Sequence, residues 1–243
     1  MSQQYKKWEI IGRKIVFTVF KPALWLIIKL NISPNMLTVI GLFLNIAAAI
    51  VLIAGGEHHD RYELSYIGWG GAFVLFGGLF DMLDGYVAKT TGKTSTFGAL
   101  FDSVLDRYSE LIMFLGIMYF LVAHHYFFSS VTTFFALSGS VMVSYTRARA
   151  EGLGIDNSVG FMQRPVRIIL IGFSALLTGI FNTMFGPVNY IQLFGNELRV
   201  ETISVLIGPI IIVAIFANLT AFYRLYYAYK VIKKLEKNNK DDK

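Results

Sequence analysis

Residues 81–106 read DMLDGYVAKTTGKTSTFGALFDSVLD, and this stretch restricts how the chain can be built. Four aspartates, Asp81, Asp84, Asp102 and Asp106, lie here inside two strongly apolar segments. A carboxylate at the centre of a membrane helix costs on the order of 2.5–3.5 kcal/mol, so four uncompensated ones would cost roughly 10 kcal/mol. They must therefore lie near the membrane edge, bind cations, or both, which makes them the first candidate for a functional site.

The composition is that of an integral membrane protein. Of the 243 residues, 55% are hydrophobic and 16% are charged, and the mean hydropathy is +0.55. A soluble domain carries roughly 25% charged residues. The chain contains no cysteine, which excludes disulfide and thiolate chemistry. Its net charge of +6 favours contact with anionic lipid headgroups or anionic substrates, and no nucleic-acid partner is expected.

Six apolar stretches are long enough to span a bilayer, which needs about 20 residues each. They lie near 36–55, 66–89, 96–123, 127–149, 165–185 and 202–226. The chain is therefore predicted to be an all-α membrane protein with six transmembrane helices. The predicted divisions are an N-terminal interfacial segment (1–30), a six-helix membrane domain (31–230) and a charged cytoplasmic tail (231–243).

Residues 4–30 combine basic and apolar side chains in a helical pattern. At 100° per residue, the basic side chains fall within an arc of about 120° and apolar ones dominate the rest. Those basic side chains are Lys6, Lys7, Arg13, Lys14 and Lys21. This pattern predicts an amphipathic helix that lies on an anionic leaflet. The alternative is a seventh, partial span through 23–30, which is too short to cross and is interrupted by Lys29.

Most of the 22 basic residues fall on one side of the predicted spans. The exceptions are Arg107, inside the third span, and Arg61 and Arg199, on the other side. The positive-inside rule then places both termini in the cytoplasm, as an even number of spans requires. The predicted location is the cell (inner) membrane, with the aspartates at its cytoplasmic face.

Each pair of aspartates shares a helical stripe with small residues. At 100° per residue, one stripe holds Asp81, Asp84, Gly85 and Ala88, and the other holds Gly98, Asp102 and Asp106. The small residues leave room for a ligand to approach the backbone. Because the turn near 90–96 is short, the second and third spans are predicted to pack antiparallel, with their acidic stripes able to face each other.

Four converging carboxylates repel one another unless a cation lies among them. All-oxygen ligand sets suit Mg²⁺, Mn²⁺ or Ca²⁺, and such ions commonly receive phosphate oxygens at their open positions. The alternative is simple pairing with Lys89, Lys93 and Arg107. That pairing would account for one or two carboxylates but not for the small residues beside them.

The spacing D-x2-D-G-x2-A-K-x8-G-x3-D-x3-D in residues 81–106 resembles the signature of the CDP-alcohol phosphatidyltransferases. Every spacing agrees. Lys89 stands where the family usually has arginine, which keeps the charge but loses the bidentate fork. The resemblance extends to the six-span layout and to the sequence ISPN at 32–35, just before the first span.

The resemblance implies an enzyme that displaces CMP from a CDP-linked lipid, such as CDP-diacylglycerol, by means of a hydroxyl acceptor and two divalent ions, Mg²⁺ or Mn²⁺. It implies that Asp81, Asp84 and Asp102 are metal ligands, and that Asp106 is the general base and also contacts a metal. The implied CDP-lipid site consists of Asp81, Asp84, Gly85, Ala88, Lys89 and Gly98. A homodimer is expected from the resemblance alone.

A second group of residues follows the fourth span, in SYTRARAEGLG (144–154) and QRPVR (163–167). These runs resemble the branch of the family that uses inositol phosphate as acceptor. The predicted ligands of the acceptor phosphate are Arg147, Arg149, Arg164, Arg167 and Arg224, and Glu151 is expected to hold Arg149. Ordinary positive-inside topology is the alternative reading of these arginines.

Two other functions compete with transfer to inositol phosphate. Glycerol 3-phosphate is the rival acceptor within the same chemistry. From another class, a cation or proton-coupled transporter also places carboxylates in its spans. A transporter would hold them near the midplane with access from both faces, whereas these aspartates gather at one face.

Overall fold

The computed structural model describes residues 20–58, 60–193 and 196–241. These residues form seven helices and two strands in the following order: α1 Lys21–Lys29, α2 Pro34–Glu57, α3 Ser65–Thr90, α4 Thr96–Ala123, α5 Phe127–Glu151, α6 Arg164–Phe185, β1 Val188–Leu193, β2 Asn196–Glu201 and α7 Ser204–Asp241. Helices α2–α7 follow the six predicted apolar stretches closely, apart from the far end of α7.

Within the described ranges, five helices are long and apolar enough to cross a membrane: α2, α3, α5, α6 and α7. Helix α4 has the length, but Asp106, Arg107 and Glu110 all fall within its last 18 residues. The chain is thus a mostly helical protein with several membrane-spanning candidates. Helix α7 runs without a break to Asp241, so the described residues of the predicted charged tail continue the last helix.

Helix α2 lies between α3 and α4 and packs along both. Small residues allow the close approach: a Cβ at Gly77 would lie 2.5 Å from Asn45 Nδ2, and one at Gly116 would lie 2.8 Å from the Cα of Ala49. Helices α3 and α4 make few contacts with each other. The predicted direct packing of α3 on α4 is therefore wrong, because α2 packs along both. The acidic ends of the two helices still meet, since Arg164 contacts Asp81 of α3 and Asp106 of α4.

The remaining helices pack around this group. Helix α6 lies against α3, where Gly68 meets Gly179, and a Cβ at Gly68 would lie 2.9 Å from the Cα of Gly179. Helix α5 lies against α7 and also contacts α4. The N-termini of α4 and α6 and the C-terminus of α3 consequently meet at one end of the bundle.

The described part of the N-terminal segment is the short helix α1. Its Leu24 and Ile27 are buried against Leu37, Leu83 and Val87. At nine residues, α1 is about 14 Å long and too short to cross the hydrocarbon core. Residues 1–19 lie outside the described residues, and with them most of the predicted amphipathic helix.

The described chain is mostly helical, consistent with the predicted all-α fold, and it adds one antiparallel hairpin, β1–β2, that the sequence did not predict. The hairpin residues include Val188, Tyr190, Ile191 and Val200, types that favour strands. At its end, Glu201 accepts a 2.5 Å hydrogen bond from the hydroxyl of Tyr126. Burial and this hydrogen bond raise the pKa of Tyr126 to about 12, so the phenol stays a donor at neutral pH. The hairpin is thereby tied to the connection between α4 and α5.

Candidate functional site

The two predicted groups of charged residues meet in one ion-pair network. Arg164, the first residue of α6, places Nη2 2.7 Å from Asp81 Oδ2 and Nη1 2.7 Å from Asp106 Oδ1. Asp81 comes from α3 and Asp106 from α4, so one guanidinium joins three helices. All three side chains are largely shielded, with 21% of Arg164, 9% of Asp81 and 16% of Asp106 exposed. We call the group Asp81, Asp84, Asp102, Asp106 and Arg164 the aspartate mouth.

The start of α6 positions Arg164. Gln163 is extended and Pro165 occupies the first turn, where its fixed φ suits a helix start and its missing N–H needs no partner. The N-terminus of a helix also favours anions through its free N–H groups and its dipole. Arg164 therefore adds a charge suited to phosphate at a point where the backbone already attracts one.

Asp84 is held by a residue that the sequence analysis missed, Thr38 of α2. The Thr38 hydroxyl donates to Asp84 Oδ2 at 2.7 Å, and it also lies 3.2 Å from the carbonyl oxygen of Pro34. Both Thr38 and Asp84 are buried. The available signal was spacing, because Thr38, Gly41 and Asn45 recur at intervals of three and four and so share one face of α2.

Gly41, on that same face, makes room for Asp81. A Cβ at position 41 would lie 2.4 Å from Asp81 Oδ1 and 3.3 Å from the carbonyl oxygen of Gly77. No side chain fits between α2 and this carboxylate. The backbone of α2 therefore forms one wall of the aspartate mouth.

The small residues of the motif differ in their surroundings. Gly85 is exposed, and a Cβ there would meet nothing within 4 Å. Gly98 is more enclosed: its N–H donates to Ser95 Oγ at 2.9 Å, the cap of α4. Ala88 is half-buried and Lys89 is exposed. Open space for a ligand is thus found at Gly85, whereas Gly98 contributes to the start of its helix.

The donor chemistry of the aspartate mouth fits a hard divalent ion, since it offers carboxylate oxygens and neither thiolate nor imidazole. In the part of the chain that the structure describes, no three His, Cys, Asp or Glu side chains are grouped closely enough to form a metal site. Two of the four carboxylates are instead held by Arg164, and a third by Thr38. The alternative partners bond elsewhere: Lys93 donates to Asn31 and Arg107 to Ser103.

The arginines at the end of α5 are exposed, and one predicted pairing is corrected. Glu151 binds Arg147, one turn away, with Nε 2.7 Å from Oε1, and not Arg149 as expected. Arg147 and Arg149 both have exposed side chains, and they lie at the end of the bundle where α6 begins.

Arg167 and Arg224 are placed differently from the prediction. Arg167 is wholly buried and paired with Glu110. Arg224 is 3% exposed and donates to the carbonyl oxygens of Val159, at 2.7 Å, and Val143, at 2.6 Å. The expectation that these two side chains bind acceptor phosphate is corrected accordingly: one fills the core beneath Arg164, and the other holds the connection between α5 and α6.

Comparison with known proteins gives a consistent result. Residues 31–196 match the model of the CDP-alcohol phosphatidyltransferase family. The chain is 28% identical over 178 residues to the phosphatidylinositol phosphate synthase of Mycobacteroides abscessus, covering 72% of this chain and 76% of that enzyme. It is 35% identical over 153 residues to the archaetidylinositol phosphate synthase of Pyrococcus horikoshii, covering 63% and 73%.

Solved structures agree with this result. The fold is similar to that of the Mycobacterium tuberculosis phosphatidylinositol phosphate synthase with CDP-DAG bound, at a TM-score of 0.67 and 26% identity over 87% of this chain and 94% of the other. A second structure of that enzyme, in complex with manganese and citrate, matches with a TM-score of 0.68 and covers 86% of this chain and 88% of the other. With the motif, the matched family model and this fold in agreement, the chain belongs to the CDP-alcohol phosphatidyltransferase family.

Proposed function

We propose that this protein transfers the phosphatidyl group of a CDP-linked lipid, of the CDP-diacylglycerol type, to a hydroxyl of inositol 1-phosphate and releases CMP. The observation that carries the proposal is that Arg164, whose guanidinium suits phosphate oxygens, reaches Asp81 and Asp106 at the same time. The names of the relatives support inositol phosphate as the acceptor over glycerol 3-phosphate.

Divalent ions would be held by the four carboxylates Asp81, Asp84, Asp102 and Asp106. By family resemblance there would be two ions, either Mg²⁺ or Mn²⁺. Manganese in a related structure supports this assignment. When bound, such ions neutralise the pyrophosphate and stabilise the departing CMP. Thr38 orients Asp84 through its hydrogen bond, and Gly41 leaves the space that Asp81 occupies.

Asp106 is the proposed general base. A hydroxyl is a poor nucleophile at neutral pH, and a carboxylate within hydrogen-bond reach can accept its proton. The acceptor oxygen then bonds to the phosphorus that carries the lipid, and the bond from that phosphorus to the oxygen of CMP breaks. Arg164 contacts Asp106 and so orients the base before the acceptor binds.

The acceptor phosphate is assigned to Arg164, with Arg147 and Arg149 as further cations at that end of the bundle. The CDP-lipid is assigned to the stripe with Gly85, where open space lies beside the backbone, and to Ala88, Lys89 and Gly98 by resemblance. We also propose six membrane crossings, with α4 as the sixth, cytoplasmic termini in the cell membrane, and a homodimer. The aspartate mouth lies at one end of the bundle, which argues against a transporter.

The deciding experiment measures CMP released from CDP-diacylglycerol by the purified chain with Mg²⁺ and either inositol 1-phosphate or glycerol 3-phosphate. We expect release with inositol 1-phosphate, loss of activity with EDTA and recovery when Mg²⁺ or Mn²⁺ is restored. Preference for glycerol 3-phosphate would overturn the assignment of inositol 1-phosphate as the acceptor. No release with any phosphorylated alcohol would overturn the proposed reaction.

Thr38→Val should lower kcat about tenfold because Asp84 then loses its buried hydroxyl partner, and groups behind metal ligands commonly matter to this extent. Valine keeps the shape of threonine but leaves a buried oxygen of Asp84 without this donor, so the cost in stability should be about 1–3 kcal/mol. Thr178→Val is the matched control, since Thr178 is equally buried but bonds only within α6, to the carbonyl oxygen of Ser174. Equal rates for the two variants would show that Thr38 does not act through Asp84.

A further inference from the structure

A second ion pair lies one helical turn beneath the pair between Arg164 and Asp106. On α4, Glu110 follows Asp106 by four residues, and on α6, Arg167 follows Arg164 by three, so each partner sits below its counterpart on the same helical face. Arg167 Nε lies 2.8 Å from Glu110 Oε1, and Nη2 lies 3.1 Å from Oε2. The two helices are thus joined by two stacked ion pairs.

The lower pair is sealed from solvent. The side chain of Arg167 is 0% exposed and that of Glu110 is 2% exposed. Burial of two charges costs several kcal/mol per ion before their attraction is counted, and an apolar pair of similar volume is commonly as stable. Stability alone therefore does not account for a charged pair at this depth.

The third nitrogen of Arg167 links the pair to the chain just before Arg164. Nη1 donates to the carbonyl oxygen of Met162 at 2.8 Å, and Met162 is itself buried. Arg164 lies two residues beyond Met162, at the first position of α6. The guanidinium of Arg167 accordingly fixes both the position of the Glu110 side chain and the point at which α6 begins.

Helices α4 and α6 are joined by side chains and not by close packing of their backbones. Helix α4 packs mainly along α2 and α5, and helix α6 mainly along α3 and α7. The ion pairs span the gap between α4 and α6, and only the lower one is shielded from substrates and solvent. The distance from Arg164 to Asp106 therefore depends on a contact that no substrate reaches.

We propose that Glu110 and Arg167 are positioning residues that hold Arg164 within reach of Asp106 and Asp81, and so set the affinity for the phosphorylated acceptor. The inference rests on the proposed function of Arg164. It assigns no contact with substrate to Glu110 or Arg167. If the inference holds, loss of the pair between Glu110 and Arg167 should weaken acceptor binding more than CDP-lipid binding.

The test uses the purified full chain in two forms, Glu110→Leu with Arg167→Met, and Glu110→Gln alone. The double variant replaces the pair by apolar side chains, so its melting temperature should stay near that of the parent. We expect the KM for inositol 1-phosphate to rise about tenfold, since small displacements of binding groups have effects of this size, while the KM for CDP-diacylglycerol changes less than about twofold. Calorimetric titration with inositol 1-phosphate should show the same loss.

Thr178→Val, deeper on α6, controls for a general change in that helix and should leave both KM values unchanged. An unaltered acceptor KM in a folded double variant would overturn the inference. If the double variant does not fold, Glu110→Gln decides: a lower melting temperature with an unchanged acceptor KM would leave a structural role only. Failure of the parent to use inositol 1-phosphate would instead refute the proposed function, so the two failures are separable.

Discussion

Replacing Asp106 with asparagine is expected to lower the rate of CMP release by at least about a hundredfold, while binding of the CDP-lipid stays measurable. Asparagine has nearly the same shape but cannot accept the proton of the acceptor hydroxyl. The change also removes the charge that holds Arg164 Nη1 at 2.7 Å. Both effects act on the acceptor side of the reaction and leave the stripe with Gly85 in place.

The measurement is a quantitative assay of CMP together with calorimetric titration of CDP-diacylglycerol into detergent-purified protein. Asp60→Asn is the matched control, because Asp60 is exposed at the other end of the bundle and asparagine can still accept from the N–H of Tyr62. It should retain the parental rate. Loss of CDP-lipid binding in Asp106→Asn would mean that Asp106 acts chiefly as a metal ligand.

Arg164→Gln is expected to raise the KM for inositol 1-phosphate about ten- to a hundredfold, since hydrogen bonds to charged groups contribute about 1.5–3 kcal/mol. The KM for the CDP-lipid should rise less. Glutamine removes the only cation seen to touch Asp81 and Asp106 among the described residues. Those carboxylates should then bind divalent ions more tightly, so half-maximal activity should need less Mg²⁺ at saturating acceptor.

Steady-state kinetics with each substrate varied in turn, and with Mg²⁺ varied, separate these effects. Arg164→Lys should recover part of the acceptor affinity, because lysine keeps the charge without the bidentate fork. Arg199→Gln is the control: Arg199 is exposed in β2 and bonds Glu201 and Tyr62 at the opposite end. An equal rise in both KM values for Arg164→Gln would contradict its assignment to the acceptor.

The helices were predictable because their signals are local. Long apolar runs, Pro34 and Pro165 near helix starts and the short turn at 90–96 all act within a few residues, and the observed bounds lie close to the predicted ones. The family was predictable for the same reason, since its signature occupies residues 81–106. The hairpin was missed because two six-residue strands in a connection carry a much weaker periodic signal than a helix.

The contacts of the site were harder to predict because they join distant parts of the chain. Thr38 lies 46 residues from the carboxylate that it holds, and Arg167 lies 57 residues from Glu110. A one-dimensional pattern shows which residues share a helical face, but not which helix that face meets. The expectation that α3 and α4 pack directly against each other failed for this reason, since both pack along α2 instead.

Residue type, spacing and charge distribution in the sequence alone determined the helical membrane architecture, the family and the four candidate carboxylates, since each depends on local periodicity or a contiguous motif. Only the tertiary structure decided the partners of the charged groups. Five arginines were predicted to bind the acceptor phosphate, yet Arg164 enters the aspartate mouth, Arg167 and Arg224 are buried, and Arg147 and Arg149 remain exposed. The physical reason is that the burial and the ion-pair partner of a long, flexible side chain depend on which helices pack together. The position of the residue in the sequence does not show that packing.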